Sequence, residues 1–156
     1  VLPYLDGERT PDLPAAAGSV VGLRHGTTPA QILQAVYDGA LEALLTGLGV
    51  LEEQTGPLDA QAPLVLVGGG ARGAAWRATA GRLSGRALQV PDETDAVALG
   101  AAALAAAALG LGDAPAIARG WDTRRGVHVE AVERDDERLA RIRRVREQLA
   151  ELNAGA

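Results

Sequence analysis

Apolar residues recur at helical spacing along the stretch 32–48, at Ile32, Leu33, Val36, Tyr37, Ala40, Leu41, Leu44, Leu45 and Leu48, the stripe expected of a helix with 3.6 residues per turn. Its start is marked by local chemistry. Thr28 stands as N-cap, Pro29 at the first helical position, and Gln31 three residues after the cap completes a capping box. Gly56-Pro57 stops the helix. Gly39 and Gly47 lie inside it at a cost in helix propensity, which predicts close packing against another element at both positions.

A second pattern begins at Leu64. Leu64-Val65-Leu66-Val67 is continuously apolar, as expected of a central strand buried on both faces. It runs into Gly68-Gly69-Gly70, and a helix is predicted from Ala74 to about Leu83, ended by Gly85. Arg86 to Val90 reads as a second strand. Pro91-Asp92-Glu93-Thr94-Asp95 then supplies caps and acidic charge for an alanine-rich helix from Ala96 to about Leu109. The order strand–helix–strand–helix predicts a right-handed crossover and layered α/β packing. The apolar run Ala96–Leu111 falls short of the ~20 residues of a membrane span and reads as a buried helix, so no membrane partner is expected.

The two ends are less regular. Residues 1–27 read as an opening segment with a turn at Asp6-Gly7 and one strand at Val20-Val21, and residues 28–111 as the α/β core with its glycine turn. Residues 112–156 form a connector, with at most a short helix after Asp113, and a last helix from about Val132 to Leu152. That helix carries the stripe Leu139, Ile142, Val145, Leu149 and Leu152, with acids early; Arg141, Arg143, Arg144 and Arg146 read as a solvated face. At 156 residues, with 47% hydrophobic side chains, one globular domain is expected. The chain opens on Val1, which reads as the start of a piece of a longer protein.

Charge and composition narrow the chemistry. The net charge is −5 and the arginines are scattered, which argues against nucleic acid as a partner. There is no cysteine, and His25 and His128 stand far apart, so neither a disulfide framework nor a metal site is expected from this chain alone. Lysine is absent as well, which excludes a P-loop and Schiff-base chemistry.

The glycine turn carries the candidate chemistry. Glycines between a strand and a helix leave no Cβ between backbone and ligand, while the first N–H groups of the following helix face any anion that approaches. Gly68, Gly70 and Gly73 also satisfy G-x-G-x-x-G, with Asp92 and Glu93 near the position of a ribose-binding acid. The residues alone leave three readings open: a mononucleotide pocket, a Rossmann-type dinucleotide-binding domain, and an assembly module whose turn holds nothing.

Several strings together resemble one family. Tyr4-Leu5-Asp6-Gly7-Glu8-Arg9-Thr10-Pro11, Gly68-Gly69-Gly70-Ala71-Arg72, Trp76 and Ala98-Leu99-Gly100-Ala101-Ala102 look like the C-terminal portion of the FGGY carbohydrate kinases, which include glycerol, gluconate, ribulose and xylulose kinases. The first string favours the xylulose branch; a kinase for another ketose or polyol is the alternative.

The resemblance implies an actin-like, ribonuclease-H-like ATPase architecture, with a mixed sheet flanked by helices and this chain as its nucleotide-side, C-terminal domain. It implies a cytoplasmic enzyme that phosphorylates D-xylulose to its 5-phosphate with ATP and Mg2+, the metal held mainly through the nucleotide and through residues outside this chain. ATP or ADP and the sugar are the implied partners, the sugar through the N-terminal domain, and a homodimer is left open. Carried over by residue, Gly69, Gly70 and Ala71 lie against adenosine and the adjoining phosphate, with Arg72 and Ala74 beside them. Gly73 stands where the family usually has serine, and Asp95 where it often has glutamate. No catalytic residue is expected here, because the family's catalytic aspartate would precede Val1. Asp6, Glu8 and Asp92 are assigned turn, ion-pair and cap roles, Glu8-Arg9 a structural salt bridge, and Trp76 and Trp121 to packing.

Overall fold

The computed structural model describes residues 1–9, 12–92, 95–123 and 125–153, with side chains through Leu149. Two compact units divide the chain, one made of Val1–Asp59, Arg82–Gly85 and Glu133–Ala156, the other of Ala60–Gly81 and Arg86–Val132.

In the first unit, α1 (Pro29–Thr55) begins as its sequence predicts. The Gln31 N–H donates to Thr28 Oγ1 at 3.3 Å and the Thr28 N–H to Gln31 Oε1 at 2.8 Å, closing the capping box. Gly56 terminates the helix. Gly39 has a reason to lack a side chain, since a Cβ there would stand 2.4 Å from the Val1 carbonyl oxygen. The expectation fails at Gly47, where a Cβ would meet nothing within 4 Å. Leu2, Tyr4, Ala16 and Leu149 form the core of this unit, with Leu13, Ala43 and Val145 packed against them.

The strand expected at Val20-Val21 does not form. Leu2 and Ser19 make a single antiparallel bridge, and both valines beyond it are exposed. Extended residues need a neighbouring strand to take their N–H and C=O groups, and the described residues supply none there. The last helix, α5 (Asp136–Asn153), starts four residues later than the apolar stripe suggests. Asp135 caps it, accepting the Arg138 N–H at 3.0 Å, and that bond, with the Arg82 guanidinium, holds the Asp135 carboxyl below the usual carboxylate range. Leu139 and Leu149 of the predicted stripe are buried, whereas the side chain of Leu152 lies outside the described residues.

The reading of Arg146 as solvated is overturned, since its side chain is largely covered, while Arg143 stays exposed and is ion-paired as well. Asp38 and Glu42, one turn apart on α1, are 2% and 1% exposed. Both are paired with α5 arginines: Arg138 Nε lies 2.7 Å from Asp38 Oδ2, and Arg146 Nη1 2.7 Å from Glu42 Oε2. Arg143 reaches Glu42 at 3.3 Å. A carboxylate enters a protein interior only with a cation and hydrogen bonds around it, and here the basic side of α5 supplies them.

The second unit contains β1 (Leu64–Val65), a 3-10 turn (Gly69–Arg72), the first eight residues of α2 (Ala74–Ser84), β2 (Leu88–Pro91), α3 (Ala96–Ala108), α4 (Ala114–Gly120) and β3 (Gly126–Val129). The sheet order is β1-β2-β3. β1 and β2 run parallel with Leu64 opposite Leu88, as expected of a helical crossover, while β3 lies antiparallel on β2 with Val90 opposite Val127.

Three expectations are corrected here. The run Leu64–Val67 is at the sheet edge rather than its centre, with Val65 58% and Val67 57% exposed. β3 lies inside what reads as connector, because four residues beginning with glycine give too short a pattern to detect. Among the α3 residues only Ala103 is buried, and Val97 is 89% exposed, because apolar composition does not say which face has a neighbour. Asp95 precedes α3 but makes no side-chain cap bond; Glu93 and Thr94, also expected as caps, lie outside the described residues.

Gly126 opens β3 at φ +153°, and a Cβ there would fall 2.0 Å from the Val90 carbonyl oxygen. Gly126→Ala is therefore expected to disturb the β2–β3 pairing at a cost of about 1–3 kcal/mol. Thermal unfolding followed by circular dichroism checks this, and an unchanged midpoint would refute it.

Candidate functional site

The glycine turn is built by three local choices. Gly68 takes φ +91°, ψ 172°, a conformation that side chains rarely adopt, and so turns the chain out of β1. Residues Gly69–Arg72 then wind one 3-10 turn, closed by Ala71 N–H to Gly68 O at 3.1 Å and Gly73 N–H to Gly70 O at 3.1 Å. Gly73, at φ −69° and ψ 121°, resets the chain so that α2 starts at Ala74.

What the turn presents is bare backbone. A Cβ at Gly69 or at Gly70 would meet nothing within 4 Å, so both face open space. Their N–H groups meet no backbone acceptor among the described residues. Because the Gly68 carbonyl points along the turn to Ala71, the trans peptide directs the Gly69 N–H the opposite way, out of the turn's N-terminal end. The arrangement fits an anionic or nucleoside group laid against the backbone.

The carried-over residues sort by position. Gly69 and Gly70 form the open surface, Ala71 is buried beneath them, and Arg72 and Ala74 are exposed at its edge. The missing hydroxyl at Gly73 is not a matter of space, since the nearest atom to a Cβ there, the Gly70 carbonyl oxygen, stands 3.4 Å away. One residue was missed by sequence reasoning. Arg77 Nη1 donates to the Arg72 carbonyl at 2.8 Å and to the Ala71 carbonyl at 3.2 Å. A cation in the opening turns of a helix opposes the macrodipole, and that misfit is the signal that could have singled Arg77 out.

Val67, immediately before the turn, helps line a cavity of about 660 Å³, and no residue lining it carries a charge. Pro91, Leu99 and Gly100 form part of its wall. Asp92, the candidate ribose acid, instead faces a separate hollow with Trp121, Asp122 and Arg125; its neighbour Glu93 lies outside the described residues. Trp76 is half-buried, as packing requires, while Trp121 remains 43% exposed. Among the described residues no three His, Asp or Glu side chains converge as a metal site, and no helix is long and apolar enough to cross a membrane. Glu8 accepts the Arg9 backbone N–H at 2.7 Å; Thr10 and Pro11 of the same motif lie outside the described residues.

Residues 1–109 match the C-terminal domain of the FGGY family of carbohydrate kinases. The chain belongs to that family. It is 57% identical over 143 residues to the xylulose kinase of Streptomyces rubiginosus, an alignment covering 91% of this chain and 29% of that protein. The chain thus spans less than a third of that relative. Among solved structures, a xylulose kinase from Rhodospirillum rubrum superposes with a TM-score of 0.66 at 25% identity, covering 99% of this chain and 30% of that one. A Plasmodium falciparum glycerol kinase with ADP superposes at 0.74 and 19% identity, over 97% and 30% of the two chains. The fold is that of the actin-like sugar kinases, an α/β arrangement with a mixed sheet and flanking helices. The antiparallel β3 beside β2 also departs from the parallel sheet of a dinucleotide-binding unit.

Proposed function

We propose that these residues form the nucleotide-side, C-terminal domain of an ATP-dependent kinase that phosphorylates D-xylulose at its 5-position. Gly69 and Gly70 receive the adenosine and the adjoining phosphate on open backbone, Ala71 supports them from below, and Arg72 and Ala74 border the ligand. ATP supplies the phosphoryl group, with Mg2+ held through the nucleotide and through parts of the kinase outside this domain. The sugar identity follows the 57% identical xylulose kinase. The sugar and the catalytic base belong to the rest of the enzyme, so the domain contributes binding and orientation, and by itself turns over no sugar.

The observation that carries this reading is the open space over Gly69 and Gly70. Gly70 is not among the glycines at positive φ, so a valine there fits the protein and intrudes only on the ligand. In the full-length kinase, Gly70→Val is expected to raise KM for ATP at least tenfold, about 1.4 kcal/mol of binding, while KM for D-xylulose changes less than twofold. Steady-state kinetics with each substrate varied in turn measures both. Equal effects on the two constants in a folded enzyme would overturn the assignment.

A further inference from the structure

We infer that Arg77 is a positioning residue for the nucleotide, acting through the turn rather than by touching the ligand; this rests on the reading of Gly69 and Gly70 as the nucleotide surface. The argument starts from the joint between the 3-10 turn and α2. At that joint the chain passes through Gly73 in an extended conformation, so the helix's own Arg77 N–H is taken by the Gly73 carbonyl at 3.0 Å. The carbonyls of Ala71 and Arg72, one step earlier, are left outside the α-helical ladder. The Arg77 guanidinium takes both, at 3.2 and 2.8 Å.

The consequence reaches the ligand side. Four of the six residues Gly68–Gly73 are glycine, and glycine loses more backbone freedom on ordering than any other residue. Left to itself, such a turn would have to be ordered by the nucleotide, which lowers affinity. Arg77 ties the turn's closing carbonyls to the body of α2 before any ligand arrives, so the Gly69 and Gly70 N–H groups are presented in one arrangement. Pre-organisation of this kind is realised as binding affinity. The fixed positive charge also offsets the negative ends of the carbonyl dipoles behind an anion site. A methionine keeps the apolar stem of Arg77 and loses every donor. A lysine keeps a charged donor that can reach the same carbonyls.

The test uses the full-length kinase with Arg77→Met, Arg77→Lys and, as reference, Gly70→Val. Expected for Arg77→Met is a rise of about tenfold in KM for ATP, with KM for D-xylulose within twofold and the thermal midpoint little changed. Arg77→Lys is expected to recover most of the lost ATP affinity. If Gly70→Val raises KM for ATP while Arg77→Met leaves it within twofold, the role given to Arg77 is wrong and the nucleotide surface stands. If neither variant moves it, the nucleotide reading itself fails. Equal rises in both Michaelis constants, or collapse of the fold in both Arg77 variants, would reduce Arg77 to a structural residue and overturn the proposal.

Discussion

Replacing Asp38 with alanine is expected to destabilise the chain by about 3 kcal/mol, the lower end of the cost of breaking a buried ion pair. Asp38 Oδ1 accepts from Arg82 Nη2 at 3.0 Å and Gln34 Nε2 at 2.9 Å, while Oδ2 accepts from Arg138 Nε at 2.7 Å. Removing the carboxylate leaves two guanidiniums with a reduced set of acceptors. Their side chains are 33% and 39% exposed, so both can turn toward water, and Arg82 keeps Asp135 at 2.7 Å. That escape places the cost at the low end. Denaturant unfolding at constant slope measures it, and a change below about 1 kcal/mol would show that the pair behaves as a surface salt bridge.

The same cluster shows why part of this fold is legible in sequence and part is not. The start of α1 is written in four adjacent residues, Thr28 to Gln31, and the structure reproduces the capping box they imply. Likewise the open turn at Gly68–Gly70 needs nothing distant, because glycine itself encodes both the unusual φ and the vacant space. Partnerships across the chain are another matter. Asp38 and Arg138 stand 100 residues apart, and no local pattern says that an arginine on the charged side of α5 will meet a buried acid on α1. The edge position of Leu64–Val65 and the exposure of α3 were missed for the same reason: periodicity identifies an apolar surface without naming what covers it. Arg77 failed to register on different grounds. Its role depends on the Gly73 reset, which leaves two carbonyls outside both the 3-10 turn and the helix, a geometric detail below the resolution of a residue pattern.

Glu42→Ala is expected to cost more than Asp38→Ala, about 4–5 kcal/mol, because its main partner cannot escape. Arg146 is only 17% exposed and donates to Glu42 at 2.7 and 2.9 Å. Thr46 Oγ1 completes the cluster, 2.9 Å from Glu42 Oε1 and 2.5 Å from Arg146 Nη1. Without the carboxylate, a guanidinium stays in a poorly solvated place with one hydroxyl as acceptor, whereas Arg143, 47% exposed, is free to hydrate. The penalty is therefore chiefly that of a stranded cation, and removing the cation should relieve it. Glu42→Leu combined with Arg146→Met replaces the pair with apolar side chains of similar size, an exchange that is often neutral or stabilising in protein interiors. The double variant is expected to lie within about 1 kcal/mol of the parent, giving a coupling energy of at least about 3 kcal/mol in magnitude in a double-mutant cycle. If the double variant is instead as unstable as the sum of the two single changes, the stability of the α1–α5 contact does not depend on charge compensation, and shape alone would account for the burial of Glu42.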